Sequence, residues 1–203
     1  MAEAAILGAG YMGSALSFPL AENRNGVRLW GTWLDDEIID AAAHGSHPKL
    51  GLALPPKVRL FHSEGLSEAV AGADFCVIAV SSDGFLAVLE RLLGVLEKPC
   101  PLVTVTKGFV RLGGEVCRVS EAGRSLLERR FGADGFRWAS VGGPVKAVEL
   151  ARHVPTATIF ALDSRKLHDL IGCFKTRYYR VETTDDTTGV ELCSAFKNIY
   201  SVA

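Results

Sequence analysis

The sequence predicts an α/β fold, a doubly wound and mostly parallel sheet covered by helices on both faces. Three observations carry that reading. Apolar runs of strand length alternate with helix-length segments along the whole chain, the pattern of parallel sheets. The runs themselves, such as Ala4-Ala5-Ile6-Leu7, are apolar without alternation, as buried strands are. The first run leads straight into a glycine turn, Gly8-Ala9-Gly10-Tyr11-Met12-Gly13, and then an Ala/Leu-rich helix.

The elements follow in order. A helix over Gly10–Ala21 follows the turn, and Asn23–Gly26 lead into a strand over Val27–Trp30. Asp35 and Asp36 open a helix to about Ala43, where carboxylates suit the positive end of the dipole. Residues 45–56, with His47-Pro48 and Pro55-Pro56, read as a loop, and Lys57–Phe61 as a strand. Ser63 begins a helical turn, Asp74–Val80 is a buried strand, and Phe85–Leu96 is a helix. Pro101–Thr106 is a strand, followed by a long amphipathic helix over Glu115–Phe131 with Arg129-Arg130 in its last turn. Phe136–Val141 is a strand, and Pro144–Arg152 a helix with proline in its first turn. Thr156–Leu162 is a strand, Ser164–Phe174 a helix and Tyr178–Val181 a strand. Thr187 or Thr188 caps a final helix running to the end.

Composition excludes several classes. The 203 residues suffice for one sizeable core, and 48% hydrophobic residues exclude disorder. A formal charge of −1 provides no basic field for nucleic acid or a membrane surface. Five cysteines, an odd number without a C-x-x-C pair, indicate neither a disulfide framework nor a metal site, so a reducing cytoplasmic location is expected. Glu3 stands where a signal peptide would be basic, and no apolar run nears the roughly 18–20 residues of a membrane span. The five histidines, without ligand spacing, read as surface or loop residues.

The glycines stand as G-x-G-x-x-G between a strand and a helix, the context in which this motif binds dinucleotides. Gly8 allows the tight turn, Gly10 lets a pyrophosphate approach the backbone, and Gly13 lets helix and strand pack closely. The N–H groups and dipole at the helix start would hold the phosphates. After the second strand come Gly31-Thr32-Trp33, where an NAD-selective site places a carboxylate; the first one is Asp35. No arginine stands there either, since Arg28 lies within the strand. The cofactor reads as NAD(P), with a lean to NADP because no carboxylate repels its phosphate.

Three further stretches could carry chemistry. Lys107 ends a strand, so it is either a solvated lysine or an ammonium aimed at the ligand crevice, for a phosphate or a carbonyl. Gly142-Gly143-Pro144-Val145-Lys146-Ala147 repeats the strand–glycine–helix geometry, with Gly143 open to backbone contact with a ligand. In the last helix only Glu191 and Lys197 are charged, so burial on most sides is expected. Val190, Ser194, Lys197 and Ser201 share a face. There Lys197 either snorkels to water or is desolvated, with the lowered pKa that suits an acid/base.

Together these stretches resemble the bacterial and archaeal NAD(P)-dependent sn-glycerol-3-phosphate dehydrogenases. The resemblance rests on the Gly8–Gly13 fingerprint, Val105-Thr106-Lys107-Gly108-Phe109, Gly143-Pro144-Val145-Lys146-Ala147-Val148-Glu149, and Gly189-Val190-Glu191-Leu192 with Ala195-Phe196-Lys197-Asn198. It implies a Rossmann-like cofactor domain and hydride transfer between dihydroxyacetone phosphate and glycerol 3-phosphate for phospholipid synthesis. It implies that Lys107 contacts substrate and cofactor, Gly143 and position 145 the substrate, and Tyr11, Met12, Thr32 and Ala147 the cofactor. Lys197 becomes the proton acceptor. The sequence departs from the family at Val145, where a serine is usual, and at Thr32, where a cation is usual. The resemblance also implies a cofactor domain over residues 1–185 and, over 186–203, the first helix of a helical substrate domain that the chain leaves unfinished. On that reading these residues alone are inactive, and a homodimer stays open. Another two-domain hydroxy-acid dehydrogenase and a non-catalytic cofactor-binding remnant are the rival readings.

Overall fold

Apolar runs such as Ala4–Leu7 and Phe75–Ile78 form strands buried on both faces, while Val58–Phe61 at the sheet edge is only half-buried. In the computed structural model, which describes residues 1–133, 136–164 and 167–200 (side chains of 198–200 excepted), they assemble one eight-stranded sheet. Its first half contains β1 (Glu3–Leu7), α1 (Tyr11–Glu22), β2 (Gly26–Trp30), α2 (Asp36–Ala43), β3 (Val58–Phe61), α3 (Leu66–Val70), β4 (Phe75–Ile78), α4 (Ser82–Val95) and β5 (Leu102–Thr104). A hairpin of β6 (Phe109–Leu112) and β7 (Glu115–Arg118) leads to α5 (Val119–Phe131). Then come β8 (Trp138–Gly142), α6 (Ala147–Ala151), β9 (Thr156–Leu162), α7 (His168–Gly172), β10 (Tyr179–Thr184) and α8 (Thr187–Tyr200).

The strand order is β10-β9-β8-β5-β4-β1-β2-β3, and every pairing is parallel except β8 with β9. The predicted doubly wound, mostly parallel architecture is therefore the one found. Alternation along each strand splits the core. Ala4, Ile6, Val27, Leu29, Phe75 and Val77 pack with α1 on one side. Ala5, Leu7, Trp30, Cys76 and Ile78 face α3 and α4 on the other. The order reverses between β1 and β4, so their carboxyl ends open the crevice where such sheets bind ligands. Among the described residues no helix is long and apolar enough to cross a membrane.

Several expectations need correction. Glu115–Arg118 is a strand, not the start of a helix. Gly113 and Gly114, at φ +60° and +90°, make the two-residue turn that closes a hairpin. The helix then starts at Val119, where Glu121 Oε2 accepts the Arg118 N–H at 2.9 Å. Pro144 lies outside α6, because residues 144–146 are used to sink Val145 into the core before Ala147 begins the helix. Helix α7 starts at His168, later than Ser164; residues 165 and 166 lie outside the description. The cap of α8 is Asp186, whose Oδ1 accepts the Gly189 N–H at 2.7 Å, and neither threonine. His47 is fully buried, because residues 44–56 fold under the glycine turn. Helix α8 is half-covered: Val190 and Glu191 are buried, while Cys193 and Phe196 are exposed. The expectations for Ser201 and for the end of this helix at residues 201–203 lie outside the described residues.

Candidate functional site

The glycine turn is built by close approach. Gly8 adopts φ +114°, and a Cβ there would stand 2.8 Å from the Ala79 carbonyl oxygen of the strand next door. A Cβ on Gly13 would stand 2.0 Å from the Gly8 oxygen, so helix and turn touch backbone to backbone. Gly10 has nothing within 4 Å of the same position. That open space lies at the start of α1, where the first N–H groups lack helical partners. Free N–H groups beside open space are what an anion such as a pyrophosphate requires. Tyr11 is about half exposed beside that space, and Met12 reaches the cavity described below.

Two side chains from distant loops hold this turn. Asp35 Oδ2 accepts the Ala9 N–H at 3.3 Å, the Thr32 N–H at 3.1 Å and the Thr32 hydroxyl at 2.8 Å. His47 Nδ1 accepts the Leu50 N–H at 3.3 Å, which leaves the proton on Nε2. Nε2 lies 3.0 Å from the Ala9 oxygen and 2.8 Å from Ser14 Oγ. Ala9 is thus held at both its N–H and its carbonyl. Burial pushes the imidazole below its usual pKa, helped by Lys49 and opposed by the Ala9 carbonyl and Asp35. A lowered folded-state value means that the unfolded chain binds the proton more readily. Its contribution to stability is complete above about pH 6.5 and is lost as pH falls through the folded value. His47→Gln, which can still donate to Ala9, should show a smaller drop in urea midpoint between pH 7.5 and 5.5 than the parent. An equal drop would remove His47 as a source of acid sensitivity.

The two lysines sit on either side of one peptide. Lys107 lines a cavity of about 330 Å³ with Met12, Ser81, Ser82, Val145, Thr158 and Tyr179. Lys197 lines a second, of about 460 Å³, with Pro144, Asp186, Val190, Cys193 and Ser194. Gly142 and Gly143 form the wall common to both. Gly143 stands at φ +125°, and Thr158 Oγ1 donates to the Gly142 oxygen at 2.7 Å. Partial desolvation, then the positive charge of Lys197, pushes the Lys107 ammonium below the usual lysine pKa. Burial pushes the Tyr179 phenol up to about 12, so it stays a neutral hydroxyl.

Helix α8 packs against β8 and β9, and Glu191 fixes it there. Its Oε1 accepts the Ser120 N–H at 3.0 Å and the Ser140 hydroxyl at 2.8 Å; its Oε2 accepts the Ser120 hydroxyl at 2.6 Å. Arg118 stands 3.4 Å away. Truncating this buried carboxylate to alanine strands several donors. Glu191→Ala should cost about 2–4 kcal/mol in urea unfolding. A loss under about 0.5 kcal/mol, the level of an ordinary surface change, would deny it an anchoring role.

The structure therefore brings Met12, Lys107, Gly143 and Val145 to one cavity and Gly143 and Lys197 to its neighbour, with Gly8, Gly10 and Gly13 in the turn that carries Met12. Thr32 lies buried with its hydroxyl on Asp35, and Ala147 opens α6. Sequence reasoning missed His47, Thr158, Tyr179 and the role of Glu191. For Glu191 a signal existed, a lone carboxylate in an apolar helix.

The family described as NAD-dependent glycerol-3-phosphate dehydrogenase N-terminus matches residues 3–168. An NADP(+)-dependent glycerol-3-phosphate dehydrogenase of Archaeoglobus fulgidus is 38% identical over 98% of the chain and 58% of its own length. A glycerol-3-phosphate dehydrogenase [NAD(P)+] of Legionella pneumophila is 34% identical over 98% of the chain and 57% of its own. The crystal structure of glycerol-3-phosphate dehydrogenase from Coxiella burnetii superposes with a TM-score of 0.85 at 28% identity, over 99% of this chain and 59% of that one. The chain thus spans somewhat over half the length of these relatives.

Proposed function

The chain belongs to the NAD-dependent glycerol-3-phosphate dehydrogenase family, and from that premise we propose that it is the cofactor-binding part of an enzyme interconverting glycerol 3-phosphate and dihydroxyacetone phosphate. The observation that carries the reading is the placement of Lys107 and Lys197 on either side of the Gly142–Gly143 wall, with Met12 of the glycine turn lining the Lys107 cavity. A bound nicotinamide dinucleotide supplies the hydride acceptor or donor. The α1 start and the space over Gly10 would hold its pyrophosphate, with Tyr11, Met12, Thr32 and Ala147 as its further contacts. Lys197 Nζ, when neutral, takes the hydroxyl proton of the alcohol; in reduction its ammonium returns a proton to the carbonyl oxygen. Lys107 attracts the phosphate and adds positive charge where the carbonyl oxygen becomes negative. Gly143, without a side chain, lets substrate lie against the backbone. Val145 supplies shape there and no hydroxyl.

The NADP preference has two supports. Asp35 Oδ2 is occupied by Thr32 and Ala9, and the Archaeoglobus relative carries NADP in its name. Arg28 takes no part, since it is buried against Glu3 and the carbonyls of Ala69 and Ala71. Titration following nicotinamide fluorescence should show saturable binding of both reduced cofactors, tighter for NADPH. No binding to folded protein would refute the cofactor site, and NADH binding at least about tenfold tighter, a difference near 1.4 kcal/mol, would reverse the preference. In the full-length protein, oxidation of the cofactor should depend on dihydroxyacetone phosphate and not on a panel of keto acids.

A further inference from the structure

At the end of the sheet opposite the glycine turn, two cysteines meet. Cys76 is the second residue of β4 and Cys100 immediately precedes the segment entering β5. Their sulfurs stand 3.7 Å apart. The backbones beneath are already tied, because the Cys76 N–H donates to the Pro101 carbonyl at 2.9 Å. Cys100 sits between Pro99 and Pro101, a stiff segment. Cys76 is fully buried, and Cys100, itself only 6% exposed, sits at the edge of a cavity of about 680 Å³ lined also by Asp74, Lys98 and Arg137. None of these residues borders the two cavities around Gly142 and Gly143.

We infer that Cys76 and Cys100 form a reversible disulfide when a hydroperoxide enters the cavity over Cys100. The two sulfurs are unequal, which sets the order of events. The contact between the two sulfurs lowers the Cys100 pKa against the opposing effects of burial and Asp74, and the same contact with full burial raises that of Cys76, while the cavity reaches Cys100 and not Cys76. Cys100 thiolate attacks one peroxide oxygen. The O–O bond breaks, the departing oxygen takes up a proton as an alcohol or water, and Cys100 becomes a sulfenic acid. The Cys76 sulfur then attacks the Cys100 sulfur; the S–O bond breaks, and the hydroxide leaves as water with the Cys76 proton. Two thiols and one hydroperoxide yield a disulfide, one alcohol or water, and one further water. A disulfide spans about 2.0 Å, so rotation of the side chains must close the remaining gap. The bridge would join the starts of β4 and β5 and close a loop that contains Ser81, Ser82 and α4. It constrains the unfolded chain and is undone by a dithiol.

Tryptic mapping after hydrogen peroxide and thiol alkylation tests this. Arg91 lies between the two cysteines, so cleavage places Cys76 in residues 60–91 and Cys100 in residues 92–107. The expected product is these two peptides joined, separated again by dithiothreitol. Two of the five thiols should disappear with it. The thermal midpoint should rise on oxidation and return on reduction, and Cys100→Ser should show neither link nor rise. Exposed Cys193 serves as the internal measure of dose. Unlinked peptides at doses that already oxidise Cys193, or Cys100 linked to another cysteine, would overturn the assignment and leave the pair as packing.

Discussion

Replacing Lys197 by Met in the full-length enzyme is expected to cut turnover by about 10²–10⁴-fold, the range of a positioned proton-transfer group, while cofactor affinity stays near the parent's. Methionine matches the lysine stem out to Cε but lacks the amino group that carries the proton. The side chain lines the cavity next to Ser194, Asp186 and the Gly142–Gly143 wall, away from the glycine turn, so the cofactor cradle should not notice the change. A second readout separates chemistry from damage. The charge of Lys197 helps hold the Lys107 pKa down, so its removal should raise that pKa. Turnover close to the parent's across pH would take Lys197 out of the mechanism. Lost cofactor affinity would instead make it structural.

Much of this arrangement was legible in the sequence for a physical reason. Gly13 is required by the Gly8 carbonyl, a backbone contact within the turn itself, so the glycine spacing reports the close packing of turn and helix, whereas Gly8 answers to Ala79 far along the chain. The Val190, Ser194 and Lys197 stripe is set by helical period, and all three line one cavity. What stayed hidden depends on long-range contacts. His47 reaches Ala9 across 38 residues, and Glu191 reaches Ser120 across 71. Nothing in a local window distinguishes that histidine from one in solvent. The β6–β7 hairpin is a different case. Its Gly113-Gly114 pair between short apolar stretches was a readable turn signal, overridden by the amphipathic pattern of the helix behind it.

The same glycines permit an experiment that separates folding from binding. Gly10→Ala is expected to leave stability within about 1 kcal/mol of the parent, yet weaken cofactor binding by roughly 10²-fold or more. Its backbone, at φ −73°, suits alanine, and the added Cβ meets no atom within 4 Å. That empty space is where a pyrophosphate must come against the backbone, so the methyl group and the ligand would compete for it. Gly13→Ala makes the contrast. Its Cβ would fall 2.0 Å from the Gly8 carbonyl oxygen and 3.0 Å from Ala79 Cβ, and the first of these is backbone that cannot swing aside. Helix α1 must move off β1, so urea midpoint and cofactor affinity should fall together. Urea titration and nicotinamide fluorescence on both variants read the two quantities separately. If Gly10→Ala binds the cofactor as the parent does, the pyrophosphate does not lie over this turn.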